Sequence, residues 1–367
     1  MRCGTRMPVP GRGHASKRGR GRRPDEPGRR GPAFGAYVLR GLAQVLFLDR
    51  AWAGAVLGLA LLAADWRYGA YAVGGATLGT ATACLLGVDR DRVRAGLEGF
   101  NSCLTALGCA VFLDAGRPAT ALLAAASSVL ATIVTAAVTR LLRGWSLPPL
   151  TVPFCLLAGA VTLAAPAFRR IRPSGDGRAV LPRPATGPTT LPPYDLWRAF
   201  FRNVSQVLFL DQWYAGALLL AGLFLASRAA GLAACSGSAA GLLTAWALGA
   251  PGARIADGTM GYNAVLVTLA LHGGCLAATR ATFGYALLGA ATATTFTPAV
   301  AALLAPSGGH VLTWPFVLTA AVFLVAARAF PRLTGERVTN APGDHATGAD
   351  GTQPPRRFLP PGAGTHP

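Results

Sequence analysis

Gln44-Val45-Leu46-Phe47-Leu48-Asp49 returns unchanged as Gln206-Val207-Leu208-Phe209-Leu210-Asp211. Two further motifs keep the same distance: Gly99-Phe100-Asn101 recurs as Gly261-Tyr262-Asn263, and Thr151-Val152-Pro153-Phe154 recurs as Thr313-Trp314-Pro315-Phe316. The differences 206 − 44, 263 − 101 and 313 − 151 all give 162. One offset shared by three separated motifs means that a whole structural unit was duplicated with its internal spacing kept. The sequence around the motifs is apolar, so the unit reads as a membrane half-domain. Two such halves facing each other are how many transporters build a site at the bilayer midplane.

Composition agrees. Hydrophobic residues make up 52% of the 367, mean hydropathy is +0.42, and the charged fraction of 13% is about half that of an ordinary soluble domain. The net charge of +19 would suggest nucleic acid in a soluble chain. Here the arginines crowd the ends and the gaps between apolar runs, which points to membrane topology and to no nucleic-acid partner. Residues 1–36 read as a disordered basic tail that stays cytoplasmic, 37–168 as the first membrane repeat, 169–197 as a Pro/Arg-rich linker, 198–330 as the second repeat and 331–367 as a disordered C-terminal tail. No cleavable secretory leader is visible near the start. Seven cysteines, an odd number without paired metal spacing, read as free buried thiols.

A helix needs about 20 mostly apolar residues to cross the hydrocarbon core. The first half offers five candidates, at 44–64, 69–87, 102–115, 118–138 and 151–168, and the second half repeats them. The third is short and follows a glycine-bearing stretch, which suits a helix that enters and turns back. Five spans is an odd number, so the second half is expected to be inverted. Arginine placement agrees with that except for the Arg-rich linker, which falls on the outer side; six parallel spans per half would put it inside.

The repeated side chains suggest a passage. Gln44 and Phe47 are three apart, and Phe100 and Leu104 four apart, spacings that share a helix face. Thr151 and Thr313 stand two residues before a proline that opens an apolar helix, the position of an N-cap. Brought together, these residues would make a narrow slot with aromatic walls and a few uncharged acceptors, suited to a small, flat, neutral molecule rich in N–H donors. Each donor stripped of water and left unpaired costs about 1–3 kcal/mol, so acceptors along the way matter. Apolar walls leave an ion's desolvation uncompensated. Asn101 and Asn263 read as structural partners of loose backbone, as do Asp49 and Asp211. Glu98 has Met260 at its matching position; it reads as an ion pair with Arg94 or, alternatively, as a proton carrier. Neither a nucleophile–base set nor a metal or phosphate motif is present, so no enzyme and no cofactor is expected.

At these residues the chain resembles the urea transporter family. The shared features are Gln-Val-x-Phe, Gly-Phe/Tyr-Asn-x-x-Leu and Thr-x-Pro-Phe, each present in both halves and in family order, over residues 37–168 and 198–330. The resemblance implies an all-α membrane fold of two inverted repeats, each with five transmembrane helices and one re-entrant pore half-helix. It further implies a homotrimer in a lipid membrane, with one pore in each subunit and passive, channel-like passage of urea across the cell membrane. Carried over by position, Phe47, Phe100 and Leu104 would wall one slot, and Tyr262 and Leu266 with Val207 or Phe209 the other. Gln44, Gln206, Thr151 and Thr313 would accept urea N–H groups. Gln206 stands where family members often carry Glu, and Tyr262 where they carry Phe. The alternatives to a urea channel are a proton-coupled transporter of a small amide using Glu98 and a membrane anchor acting through its basic tail.

Overall fold

The computed structural model describes residues 34–174 and 185–334. The two tail readings fall almost wholly outside these residues. Within them the chain is helical, and its elements recur at the offset that the motifs announce. The first half runs α1 (Phe34–Gln44), α2 (Ala51–Ala64), α3 (Trp66–Leu85), α4 (Arg90–Arg94), α5 (Phe100–Phe112), α6 (Pro118–Leu142) and α7 (Val152–Ala164). The second half runs α8 (Pro193–Ser205), α9 (Trp213–Ala226), α10 (Arg228–Ala247), α11 (Gly252–Ala256), α12 (Tyr262–Leu269), α13 (Arg280–Leu304) and α14 (Trp314–Ala327), followed by the short α15 (Pro331–Thr334). The starts of α2 and α9, of α3 and α10, and of α6 and α13 each differ by 162, as 213 − 51, 228 − 66 and 280 − 118.

Local chemistry sets these boundaries. Asp65 caps α3 by accepting from the Arg67 N–H at 2.8 Å, and Ser227 caps α10 from the Ala230 N–H at 3.3 Å. Pro118 opens α6, where its missing N–H costs nothing. Thr279 and Thr282 form a reciprocal capping box at the start of α13. Pro118–Trp145, Arg228–Ala247 and Arg280–Ser307 are long and apolar enough to cross a bilayer. Leu59, Leu122, Leu141, Leu225 and Leu303 stay well exposed, as a lipid-facing surface requires.

The structure changes the reading at the start of each half. The segment expected to be one span from Gln44 is broken: α1 ends at Gln44, and α2 begins only at Ala51. In the second half the corresponding pair, Pro193–Leu208 and Trp213–Ala226, bends by 77°. Gln44 and Phe47 therefore do not share a helix face. The first helix also starts at Phe34, inside the expected tail, and α8 starts at Pro193, inside the expected linker. The short α1 packs against α2 through Gly54, where a Cβ would fall 1.7 Å from the Leu39 carbonyl oxygen; at Gly216 it would fall 1.9 Å from that of Phe201. The third segment is short, as expected. α12 has 8 residues and ends in a π-turn, Ala270–Gly274; α5 has 13, and its residues from Phe100 to Ala110 are all buried.

Candidate functional site

The core of the molecule is organised by a twofold relation between the halves. Phe47 lies edge-on to Phe316 with ring centroids 6.2 Å apart, and its mate Phe209 lies 5.7 Å from Phe154, the mate of Phe316. When residue i meets the mate of j, and j meets the mate of i, the two units are related by a twofold axis. Thr151 and Thr313 are mates, and their hydroxyls hydrogen-bond to each other at 2.7 Å. Two equivalent residues in contact lie beside the axis, so the threonines mark the centre. Although each occupies an N-cap position, neither hydroxyl caps its helix. Each is committed to the centre, and Thr313 also contacts the Cys155 sulfur at 3.1 Å.

The N-termini of α7 and α14 converge on this pair, and their partial positive charge opposes a cation there. Asparagines fasten both ends. Asn101 donates to the Leu150 carbonyl at 3.2 Å, and the Asn263 oxygen accepts from the Phe316 N–H at 3.2 Å. Both pair with backbone at the Thr-x-Pro helix starts rather than at the break before the short helix. Tyr262 hydroxyl donates to the Leu312 carbonyl, the mate of the carbonyl that Asn101 uses. Asn263 Nδ2 is left buried without a hydrogen-bond partner. The tyrosyl hydroxyl is thus bound to backbone.

A narrow cavity of ≈ 10 Å³ opens beside the centre, lined by Gln44, Val45, Phe47, Phe100, Leu150, Thr151, Leu266 and Phe316. That is room for the centre of about one water molecule. It brings together five residues named from the sequence, Gln44, Phe47, Phe100, Thr151 and Leu266, drawn from both halves. Thr313 joins them through Thr151. Leu104, Val207 and Tyr262 are buried but do not line it, and Gln206 and Phe209 stand at the twofold-related position. Val45, Leu150 and Phe316 were missed, although Val45 and Phe316 sit within repeated motifs and Leu150 directly precedes one.

The glutamines are oriented by their nitrogens. Gln44 Nε2 donates to the Ala95 carbonyl at 2.8 Å, and Gln206 Nε2 to the carbonyl of its mate, Asp257, at 3.2 Å. A carbonyl only accepts, so each amide must turn its nitrogen there and its oxygen away. Gln44 Oε1 is buried with no partner. Arg40 and Arg202 tie the same loops, donating to the Arg94 and Ala256 carbonyls at 2.8 and 3.0 Å. Asp49 and Asp211 are not equivalent in use: Asp211 accepts from Gln206 Nε2 at 2.7 Å, whereas Asp49 is 82% exposed beside Arg50.

Backbone strain concentrates here. Phe47, Phe209, Leu150 and Leu312 have φ of 60°, 57°, 45° and 47°, the left-handed region that costs an L-residue about 1–2 kcal/mol. Phe47 and Phe209 take the place after a helix end where glycine is usual. A phenylalanine kept there is held for where it puts its ring.

Glu98 is buried and pairs with Arg92, at 2.7 Å from Nη2 and 2.8 Å from Nε, rather than with Arg94. It does not line the cavity.

The sequence model of the urea transporter family matches residues 36–328. The chain belongs to the urea transporter family. Among curated relatives, urea transporter 1 of Ovis aries is 29% identical over 302 residues, covering 82% of this chain and 79% of that protein. The urea transporter 1 of Rattus norvegicus is 28% identical over the same shares. This urea transporter family member is therefore a membrane transport protein and not an enzyme. The all-α fold carries the family's motifs in both halves.

Proposed function

We propose that this protein conducts urea passively through the cavity beside the Thr151–Thr313 centre. The observation that carries the reading is the pair of glutamines whose amide nitrogens are consumed by backbone carbonyls. Such an amide offers a passing molecule only an oxygen, and on Gln44 that oxygen is buried and unclaimed. Urea carries four N–H bonds on a planar frame and no charge, so it meets acceptors with donors. The rings of Phe47 and Phe100 admit a flat solute edge-on and leave a hydrated ion without compensation. The names of the curated relatives support urea as the solute.

Passive movement follows from what the cavity lacks: among the described residues that line it, no side chain titrates. Glu98, the one candidate for proton coupling, is held by Arg92 away from it. The halves are inverted in this reading, the broken α1 and α8, rather than the short third segments expected from the sequence, are the re-entrant half-helices, and both chain ends are cytoplasmic. Three copies assemble in the cell membrane through part of the exposed apolar surface.

Stopped-flow light scattering of proteoliposomes in a urea gradient tests the proposal. Fast urea entry that is indifferent to a protonophore and to sodium is the expected result. Uptake abolished by the protonophore at controlled pH would remove it.

A further inference from the structure

The twofold relation fails at one mouth, and the failure is chemical. Phe112 closes α5, and its ring lies edge-on to Phe209 with centroids 5.5 Å apart. His310 stacks on Phe112, with centroids 4.2 Å apart and planes 27° from parallel. The mate of Phe112 is Gly274, and the mate of His310 is Pro148 (274 − 112 and 310 − 148 are both 162). Phe47, the mate of Phe209, therefore faces no third ring. A Cβ at Gly274 would already stand 3.3 Å from Phe47 Cδ1, so a ring there would run into Phe47. The Phe47 end lacks such a stack, and the other end carries one of Phe209, Phe112 and His310.

This stack is placed rather than incidental. Phe112 lies twelve residues along α5 from Phe100, about 18 Å at 1.5 Å per residue, so α5 runs from the cavity wall out to the stack. Its end is pinned by the start of the linker: the Ser174 N–H donates to the Phe112 carbonyl at 2.9 Å, and the Asp114 N–H to that of Arg172 at 2.9 Å. His310 lies two residues before Leu312, on the loop that leads to Thr313. All three rings are only partly buried. Among the described residues, nothing hydrogen-bonds the His310 ring nitrogens. A neutral imidazole offers one donor and one acceptor side by side, which matches the N–H and C=O edges of an amide.

We propose that Phe112 and His310 form a second, one-sided selectivity station. There a small planar amide is held against the Phe112 and Phe209 rings, and it exchanges hydrogen bonds with His310 before reaching the Thr151–Thr313 centre. The proposal rests on the passage reading given above and adds to it an asymmetry: one mouth carries a further station that selects by width and hydrogen bonding, while the other has only the cavity's own rings and the Gln44 oxygen.

The test is solute permeability of proteoliposomes for a series graded in width: formamide, urea, N-methylurea and N,N′-dimethylurea. The variant Phe112→Gly/His310→Pro gives this mouth the residues of its mate, and His310→Phe keeps the stack but removes the nitrogens. The double variant is expected to raise N,N′-dimethylurea flux relative to that of the narrowest permeating solute at least fivefold. His310→Phe should keep the width cut-off and slow urea about three- to tenfold, the range of one exchanged hydrogen bond. If the double variant does not assemble like the wild type, His310→Phe alone decides. Unchanged ratios and unchanged urea flux in an assembled variant overturn the station. A wild type that carries the series without urea overturns the urea reading instead, while the width ratio still reads the station.

Discussion

Replacing Gln44 by leucine separates transport from stability. In the folded protein the amide makes one hydrogen bond, from Nε2 to the Ala95 carbonyl at 2.8 Å, and leaves Oε1 buried and unpaired. Leucine removes that bond, worth about 0.5–1.5 kcal/mol net. It also removes a buried oxygen whose desolvation costs about 1–3 kcal/mol. Ala95 is only partly buried, so water takes over its carbonyl. These terms offset, and Gln44→Leu is expected to unfold within about 1 kcal/mol of the wild type. A permeant loses the same acceptor without compensation. Leaving one urea N–H unpaired at the cavity raises the barrier by about 1–3 kcal/mol, a slowing of roughly 5- to 150-fold at about 1.4 kcal/mol per decade. Stopped-flow urea flux is read alongside thermal unfolding and size-exclusion elution of the same preparations. Flux within twofold of wild type in a normally assembled Gln44→Leu protein would mean that the orphan oxygen does not serve the permeant, and the reasoning from it would fall.

The central threonines behave as a pair. Because both are buried and bonded to each other, Thr151→Val/Thr313→Val removes donor and acceptor together and is expected to be more stable than Thr313→Val alone, which strands Thr151. Thermal unfolding of the three proteins checks the order, and urea flux should fall about tenfold or more in the double variant. Arg92→Ala leaves the Glu98 carboxylate, only 4% exposed, without its partner and should destabilise by about 3 kcal/mol. Arg92→Ala/Glu98→Gln should recover much of that and keep gradient-independent urea flux, and loss of flux in the recovered protein would restore a coupling role for the carboxylate. Gly54→Ala and Gly216→Ala each drive a methyl into a backbone carbonyl oxygen of the preceding short helix; both should yield little assembled protein, and normal yield would show that α1 and α8 tolerate displacement.

Much of this was legible in the sequence for one reason: duplication writes every constraint twice. The identical hexapeptides at Gln44 and Gln206 marked the amides that donate to the Ala95 and Asp257 carbonyls, and Thr-x-Pro-Phe marked the helices that converge at the centre. What was not legible depended on the third dimension. The short α1 is amphipathic and sits beside a basic stretch, so it lacks the long apolar run that betrays a span. The left-handed turn at Phe47 has no glycine to announce it, because the ring is held there against local preference. Thr151 and Thr313 looked like caps because their positions are cap positions; only the fold reveals that they meet. Phe112 and His310 belong to no motif. Their signal was the opposite of repetition, glycine and proline standing at the matching places.

The centre itself cannot be symmetric, and the sequence resolves how. Two hydroxyls on a twofold axis cannot both donate to each other, so an exact repeat would leave the direction of the Thr151–Thr313 bond undecided. Cys155 makes the two threonines inequivalent, because its mate is Val317 and its sulfur lies 3.1 Å from the Thr313 hydroxyl. If Thr313 donates to the sulfur it accepts from Thr151, and the chain of O–H groups then runs away from the cavity. Thr151 is the member that lines the cavity, and in this direction its lone pairs remain free. Acceptors then follow one another along the lining, Gln44 oxygen and Thr151 oxygen, with no donor between them to compete for urea's carbonyl. A neutral side chain beside one threonine thus does for polarity what Phe112 and His310 do for width: the first departs from the repeat at one position and the second at two, and each turns two equivalent halves into a path whose ends differ.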